Sequence, residues 1–174
     1  MPDQMEEEAI ALVAQGYAAH WLRPRSKAPV AEGWSTAPVA DSAMLRRTYR
    51  TGYNLGVRCG HYSTPAPGYG LVISDTDVKV PTYAPEALDA LTDLLGPLDG
   101  PAVASGRRNG SRHDWRACPL ERLPPKAAVV VRKAKATWVP PGKAKPEPVW
   151  HIEMLSVGKQ AVVPPSIHPT TGYR

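Results

Sequence analysis

Two carboxylates, Asp75 and Asp77, stand one residue apart at the end of an apolar, β-prone run that covers residues 70–79. Alternate residues of a strand point to the same face, so the two side chains project to one spot, about 7 Å apart along the chain. Like charges held that close repel each other unless a cation or several donors stabilise them. The spacing therefore indicates a divalent-metal site. The alternative is a strand end whose acids cap a turn.

A second group of chemically active residues lies on a glycine-bearing basic turn, residues 105–113. The turn runs into a strand on which Ser111 and His113 share a face, and Gly106 and Gly110 permit close backbone approach. A hydroxyl and an imidazole supply hydrogen-bond donors, and guanidinium groups grip oxygens bidentately. The turn is typical of a phosphate site, for which the candidate arginines are Arg107, Arg108 and Arg112. Read singly, His113 is more often a structural histidine.

The third feature is Glu153, a single acid on the apolar stretch of residues 150–155. A carboxylate among apolar neighbours is costly unless a cation pairs with it. Three carboxylates on neighbouring strands, beside a basic strand with serine and histidine, are what two-metal phosphoryl transfer requires, with ions about 3.5–4 Å apart. Oxygen ligands favour Mg²⁺ or Mn²⁺ over zinc. The candidate catalytic and metal-binding acids are therefore Asp75, Asp77 and Glu153.

These residues need a scaffold, and the apolar patterns predict one of short strands and a few helices. Helical spacing covers residues 6–15 and 41–49, where Asp41 is a good N-cap, and a third helix begins near Pro85 and ends at Gly96. Helices early and many strands late favour a mixed α/β or α+β domain over a regular parallel, doubly wound one. The predicted strands cover residues 17–22, 54–59, 69–77, 102–105, 111–116, 129–132, 150–155 and 161–163.

Length and composition narrow the class of protein. The chain has 174 residues, of which 43% are hydrophobic and 21% charged, as is ordinary for one soluble globular domain. No apolar run approaches the roughly 20 residues of a membrane span, and residues 1–8 are acidic, unlike a secretion signal. We therefore expect a cytoplasmic monomer without membrane contact. Cys59 and Cys118 provide neither a disulfide framework nor a zinc site.

The charge balance points to an anionic partner. The formal net charge is +5 and the sequence pI is near 9.3, and a cationic surface gains free energy by displacing counterions from phosphates. The bases cluster on the turn of residues 105–113 and again at residues 126–145. An ordinary solvated basic surface is the alternative explanation.

The ordered set of motifs resembles a known family. Asp75-Thr-Asp77, then Ser111-Arg-His113, then Glu153 ahead of Pro-Pro-Ser-Ile-His-Pro is similar to the primase-polymerase domain of the archaeo-eukaryotic primase superfamily, found in plasmid and phage replication proteins. The likeness extends from about residue 16 to residue 173. It includes connecting blocks at residues 16–17, 22–29, 33–34, 53–60 and 100–106.

The resemblance implies an activity and roles for individual residues. The activity is template-directed synthesis and extension of a primer on single-stranded DNA, from nucleoside triphosphates of the ribo or deoxyribo type. Asp75, Asp77 and Glu153 match the family's acids for two Mg²⁺ or Mn²⁺ ions, and Ser111 and His113 match its contacts to the nucleotide's phosphates. Further phosphate ligands are expected at Lys27, Arg108 and Arg112.

The resemblance also implies a fold. In the family a small catalytic sheet resembling an RNA-recognition domain joins an N-terminal α/β unit, and the cleft between them holds template and nucleotide. The basic surface would then grip the DNA strand largely without sequence preference. No zinc-binding stem is recognisable.

Several residues depart from the family pattern. Ser74 and Thr76 stand where apolar residues are usual, and Asp114 adds a charge directly after the family's histidine. Glu153 replaces the more widespread aspartate, which leaves Asp114 and Glu147 as alternative ligands.

Beyond the motifs, the lysine- and proline-rich tract at residues 124–148 is expected to be an exposed, partly extended and mobile excursion. From residue 126 onward it looks like an insertion, serving either as a DNA-contacting flap or as a spacer. Residues 1–174 are expected to form a single domain excised from a longer replication protein, in which a helicase often follows. The sequence itself has no Gly-x4-Gly-Lys-Ser/Thr loop.

Two other classes of function compete with primer synthesis. A non-catalytic module that binds single-stranded DNA or an origin would explain the basic charge, but it has no need of converging acids, which repel phosphate. A metal-dependent nuclease would use the same acids and ions. It has no evident need, however, for a triphosphate site at Ser111 and His113.

Overall fold

The structure, a computed structural model, describes residues 3–124 and 128–172. Its helices are α1 (Gln4–Ala14), α2 (Ser42–Thr48) and α3 (Ala84–Leu95). Its strands are β1 (Ala18–Leu22), β2 (Asn54–Arg58), β3 (Tyr69–Val78), β4 (Ala102–Ala104), β5 (Arg112–Pro119), β6 (Ala128–Lys133), β7 (Thr137–Trp138), β8 (Glu147–Pro148), β9 (Trp150–Leu155) and β10 (Gln160–Val163). Two 3₁₀ turns, Pro81–Tyr83 and Leu120–Arg122, complete the elements.

A small antiparallel sheet, in the order β1-β2-β10, forms the first unit together with α1 and α2. Both helices begin at an aspartate, as their sequences favour. Asp3 accepts a hydrogen bond from the backbone N–H of Met5 (3.0 Å), and Asp41 accepts one from that of Met44 (2.7 Å). Each carboxylate thus satisfies one of the free N–H groups of a helix N-terminus. The third strand, β10, comes from the far end of the chain, so the unit is only partly N-terminal.

The larger sheet carries the site and is antiparallel throughout, in the order β4-β5-β3-β9-β6. Its two faces follow the alternation of β3. Val78 packs on one face with Leu91 of α3 and Ile152 of β9. On the other face Leu71 and Ile73 join the core that the larger sheet shares with the first unit. Because side chains alternate along a strand, this second face continues directly from that core to Asp75 and Asp77.

The fold confirms the prediction of a mixed α/β domain, which is built of helices and antiparallel sheets. The candidate site lies between the two larger sheets. The tract at residues 124–148 contains the strand that we predicted at residues 129–132, and it is otherwise more ordered than we expected. Its residues 128–133 form β6, which pairs with β9 at the edge of the larger sheet, and β7 and β8 form a short hairpin. The run of valines in β6 pairs because a strand edge of β9 is available to it. Residues 125–127, which include Lys126, lie outside the described part of the chain.

None of the helices in the described ranges has the length and apolar character needed to cross a membrane; the longest, α3, has 12 residues.

Candidate active site

The centre of the site is a row of side chains that crosses three strands. Asp75 on β3 lies directly opposite His113 on β5 and directly opposite Glu153 on β9. Residues opposite each other in an antiparallel pair share a face, with Cβ atoms about 5 Å apart. The three strands therefore bring the imidazole and both carboxylates to one line on the face that leads out from the core.

Two histidines offset the repulsion between these neighbouring acids. The Nε2 atom of His113 lies 3.3 Å from an Asp75 oxygen, and the Nε2 atom of His151 lies 3.6 Å from a Glu153 oxygen. Burial by itself would raise the pKa of Asp75, but the hydrogen bond from His113 and the positive charges of His113, Lys27 and His151 together lower it. Asp75 is accordingly held as a carboxylate.

Asp77 occupies the next position on the same face, opposite His151. Its carboxylate forms an ion pair with Lys79 and lies 3.4 Å from NH1 of Arg107. Two cations thus neutralise Asp77, and within residues 3–124 and 128–172 no three His, Cys, Asp or Glu side chains stand close enough together to hold a metal ion. The backbone register aligns the three predicted acids on one face. Their side chains are directed to basic partners.

The donor set nevertheless fits Mg²⁺ or Mn²⁺ in type. Asp75, Asp77 and Glu153 supply carboxylate oxygens only, and their side chains are between 23% and 32% exposed. Hard divalent cations take oxygen ligands and keep several waters, which partly exposed carboxylates allow. These three residues are the ones that could hold such ions.

Beside the acids, a cleft runs between the two sheets. From the larger sheet it is lined by Asp75, Asp77, Ser111 and His113, and from the turn before β5 by Arg107. The opposite wall comes from the first unit and the segment after β10, and it carries Ser26, Lys27, Asn54, Ile167 and His168. The cleft therefore presents cationic and hydroxyl groups on both walls next to the carboxylates, an arrangement suited to a phosphate chain.

The wall that carries His168 is fixed by hydrogen bonds to β2. The Asn54 side chain accepts from the N–H of Ile167 (2.9 Å) and donates to its carbonyl (2.9 Å). The Ser166 hydroxyl accepts from the N–H of Leu55 (2.8 Å). Burial, with the nearby charges of Arg107 and Lys27, lowers the pKa of His168. The segment at residues 164–169 is thus a rigid part of the cleft.

Ser111 is tied to β3 and helps to fix the basic turn. Its hydroxyl accepts a hydrogen bond from the N–H of Val78 (2.8 Å), and its own N–H donates to the Asn109 side chain (3.1 Å). Gly110, at φ 90°, approaches α3 so closely that a Cβ atom there would lie 2.5 Å from that of Ala84. Packing against α3, and not approach to a phosphate, is therefore what this glycine provides.

Two of the predicted phosphate ligands lie elsewhere. Arg112 borders the cleft, but its guanidinium donates to Asp114 at 2.8 and 2.5 Å, and strand alternation puts both side chains on the α3 side of the sheet. Arg108 lines a separate depression with Pro85 and Leu88 at the start of α3. Side chains alternate between the two faces of a strand. Arg112 directly precedes His113, so its side chain points to the face opposite the acids.

Of the residues that depart from the family pattern, Glu153 lies in the row with Asp75, whereas Ser74, Thr76 and Asp114 lie outside it, as does the alternative ligand Glu147. Ser74 and Thr76 are fully buried on the α3 side, where the Ser74 hydroxyl lies 3.5 Å from the Met154 sulfur. Asp114 pairs with Arg112 on that same side. Glu147 is on β8, paired with Lys143. None of these four residues replaces Glu153 in the row with Asp75.

The sequence reasoning did not assign Lys79, His151 or His168 to the site, and it did not single out Arg107 among the bases of its turn. The signal for His151 was available, because it stands two residues before Glu153 and so shares its face. For Arg107 and His168, whose positions depend on loops, the sequence offered no comparable signal.

A family profile matches the chain, whereas no curated sequence does. A comparison with curated protein sequences gives no significant match. The profile of the family described as "Bifunctional DNA primase/polymerase, N-terminal" matches residues 9–174, which is nearly the whole chain. The chain therefore belongs to the bifunctional DNA primase/polymerase N-terminal family, and with it to proteins of DNA replication.

Proposed function

We propose that this domain is a nucleotidyltransferase that makes and extends primers on a single-stranded DNA template from nucleoside triphosphates. The observation that carries the proposal is the row His113–Asp75–Glu153 at the edge of a cleft with cationic and hydroxyl groups. A DNA-binding module needs no such acids, because carboxylates repel phosphate. A nuclease would use the same acids, but it has no evident need of a triphosphate site at Ser111 and His113.

The proposed reaction joins one nucleotide to the strand at each step. The 3′-hydroxyl oxygen of the strand forms a bond to the α-phosphorus of the incoming triphosphate. The bond from that phosphorus to the oxygen bridging the β-phosphate breaks, and pyrophosphate leaves with its electron pair. The hydroxyl proton passes to solvent. Catalysis of such a transfer consists mainly of positioning the groups and stabilising charge.

The cleft residues bind and orient the triphosphate. Lys27, Arg107, His113 and His168 surround the space in which its phosphates would lie. Charge-assisted hydrogen bonds from Lys27 and Arg107 are about twice as strong as neutral ones. Ser111 holds the turn in place through Val78. The Arg107 side chain is 45% exposed. It can therefore give up its contact with Asp77 and bind a phosphate oxygen.

The acids would hold two divalent cations, Mg²⁺ or Mn²⁺, with Asp75, Asp77 and Glu153 as the protein ligands. When bound, such ions lower the pKa of the attacking hydroxyl and neutralise the triphosphate. The protein's own contribution is to keep Asp75 ionised through His113 and to hold Glu153 opposite it. We further propose that the domain acts as a monomer. In a longer replication protein, a helicase would act together with it.

One experiment separates the three classes of function. The protein is incubated with circular single-stranded DNA, labelled nucleoside triphosphates and Mn²⁺; the strands are then resolved on a denaturing gel and the protein–DNA complexes on a native gel. New labelled strands support primer synthesis. Shortened DNA would show a nuclease, and a mobility shift without any change in the strands would show a binding module; either result would refute the proposal.

A further inference from the structure

The larger sheet ends in an edge strand whose surface the proposed chemistry leaves unused. Within the described residues β6 pairs only with β9. Three consecutive valines are exposed along it, Val129 by 36%, Val130 by 50% and Val131 by 40%. An apolar strand edge attracts other chains and is normally covered or blunted with charge. A partner for this edge should therefore combine apolar groups with negative charge, because the bases Arg132 and Lys133 follow the valines.

A β-bulge decides which of the two bases of β6 faces the acids. Val130 pairs with Glu153, but the register then shifts, so that Arg132 pairs with Ile152 and Lys133 with His151. Lys133 consequently shares the face of Glu153, on the side of the acids. Bulges beside active sites commonly redirect a side chain in this way.

Arg132, in contrast, points to α3. Its NH1 atom donates to the carbonyl of Ala90 (3.1 Å) and lies 3.5 Å from an Asp93 oxygen. Lys133 forms no ion pair with an acid in residues 3–124 or 128–172. It is an exposed, uncommitted cation, two strands away from Asp77 across the sheet, or about 10 Å at the usual strand spacing.

These side chains line an open depression. It is bordered by Val130, Val131, Arg132, Lys133, Pro148, His151 and Glu153, whereas the cationic cleft lies on the β5 side of Asp75. Two binding surfaces thus flank one row of acids. The cleft has several hydrogen-bond donors for an anion, and the depression combines the uncommitted ammonium group of Lys133 with exposed apolar side chains.

We propose that this depression holds the 3′ end of the growing strand, with Lys133 on its backbone phosphate and Val130 against sugar and base. The inference rests on the proposed function. In a phosphoryl transfer the attacking and leaving oxygens lie roughly in line, on opposite sides of the phosphorus. If the triphosphate occupies the cleft on the β5 side, the attacking hydroxyl must approach from the side of β9 and β6.

Charge supports this division. A 3′ hydroxyl is neutral and can lie beside Glu153, whereas the phosphates further along the strand need a cation, which Lys133 supplies. Exposed Lys135 and Lys145 lie further along the same segment of the chain and add to its positive charge. Non-specific nucleic-acid binding of this kind joins a cationic track to apolar or aromatic contacts with sugar and base.

The test compares two charge reversals of equal size. Lys133→Glu alters the depression, and Arg47→Glu alters an exposed arginine on α2, so both change the net charge equally. Fluorescence anisotropy measures binding of a primer–template with a recessed 3′ end, in the absence of nucleotide. Lys133→Glu should weaken this binding at least tenfold and flatten its salt dependence by about one charge. Arg47→Glu should stay within twofold of the parent, and melting curves verify that both variants are folded.

Nucleotide binding provides the second measurement. In strand-extension assays at saturating primer, Lys133→Glu should change KM for the nucleotide by less than twofold. A photo-crosslinker in place of Val130 should label the last nucleotides at the primer 3′ end. Equal primer affinity of the Lys133→Glu and Arg47→Glu proteins would overturn the inference, as would crosslinks confined to the template overhang. A protein that binds primer ends through Lys133 but makes no new strands would instead refute the proposed function.

Edge pairing between two copies is the remaining alternative. If sedimentation showed a dimer that Val130→Lys dissociates without loss of primer affinity, β6 would be an interface between copies, and the inference would be wrong.

Discussion

Asp75 and Glu153 lie directly opposite each other on β3 and β9, and a histidine stands beside each carboxylate, His113 at 3.3 Å and His151 at 3.6 Å. Opposed like charges destabilise an antiparallel pair. The sheet therefore keeps this pair at a cost that the imidazoles only partly offset. A site that concentrates acids in this way next to a cationic cleft is arranged for chemistry on a phosphate and not for stability.

Replacement of Asp77 should separate synthesis from DNA binding. Asp77→Asn or Asp77→Ala removes a predicted metal ligand, and we expect the rate of strand synthesis to fall at least about 100-fold, or about 2.7 kcal/mol of transition-state stabilisation. The Asp77 variants should retain single-stranded DNA nearly as well as the parent protein does. The same holds for Asp75→Ala. Asp89→Asn, an exposed aspartate on α3, is the matched control. Synthesis by Asp77→Asn at the parental rate would exclude the metal assignment.

Replacement of His113 should act mainly on the nucleotide. The imidazole lines the cleft, so His113→Ala removes one hydrogen-bond donor to the triphosphate. We expect KM for the nucleotide to rise about tenfold, equivalent to about 1.4 kcal/mol, with a smaller change in kcat. Steady-state extension kinetics measure both constants. His61→Ala, at an exposed position, should leave them unchanged, and a His113→Ala protein with parental KM would remove His113 from the nucleotide site.

Metal affinity should depend on the nucleotide. Because Lys79 and Arg107 neutralise Asp77, Mn²⁺ should bind weakly to the protein alone. A non-hydrolysable triphosphate adds phosphate oxygens as ligands and offers Arg107 another partner, so it should tighten Mn²⁺ binding at least about tenfold. Electron paramagnetic resonance of free Mn²⁺ measures this without any turnover. Equal affinity with and without the triphosphate would show that the acids are already free to bind the ion.

Replacement of Arg112 should lower the stability of the fold, whereas replacement of Arg107 should weaken nucleotide binding. Asp114 is a buried carboxylate whose side chain is 5% exposed and which is paired with Arg112, so Arg112→Gln should destabilise the protein by about 2 kcal/mol. KM for the nucleotide should change little. Arg107→Gln should do the reverse, raising KM with little loss of stability. Urea unfolding and extension kinetics on both variants check the pattern, which a large KM effect of Arg112→Gln would contradict.

His20 should make the fold less stable in mild acid. Burial lowers its pKa to about 4, opposed by the Gln160 side chain and assisted by the charge of Arg58. The unfolded chain therefore takes up a proton on His20 below about pH 6.5, whereas the folded chain does not, and folding loses free energy as the pH falls from 6.5 toward 4. The loss at pH 5 should be about 2 kcal/mol.

Urea unfolding at pH 7.5 and pH 5.0 tests this sign. His20→Asn should reduce the difference between the two values, whatever it does to the stability at either pH. An unchanged difference would show that His20 does not carry the pH dependence.

The sequence by itself determined the elements and the types of residue at the site. Alternation in residues 69–77 located β3 and gave Asp75 and Asp77 one face, because side chains of a strand alternate whatever lies around it. Asp41 marked the start of α2 for an equally local reason, since a cap bonds only to its own first turn. The order of motifs also led to the family that the comparison then showed.

The tertiary structure decided which residues meet. Register between strands that are distant in the sequence placed Glu153 and His113 on either side of Asp75, and no local pattern specifies a register of that kind. The bulge in β6 turned Lys133 to the acids and Arg132 away. Loop conformations brought Arg107 and His168 into the cleft and left Arg108 outside it. Such placements depend on the free energy of packing the whole domain, which residue types and their spacing do not contain.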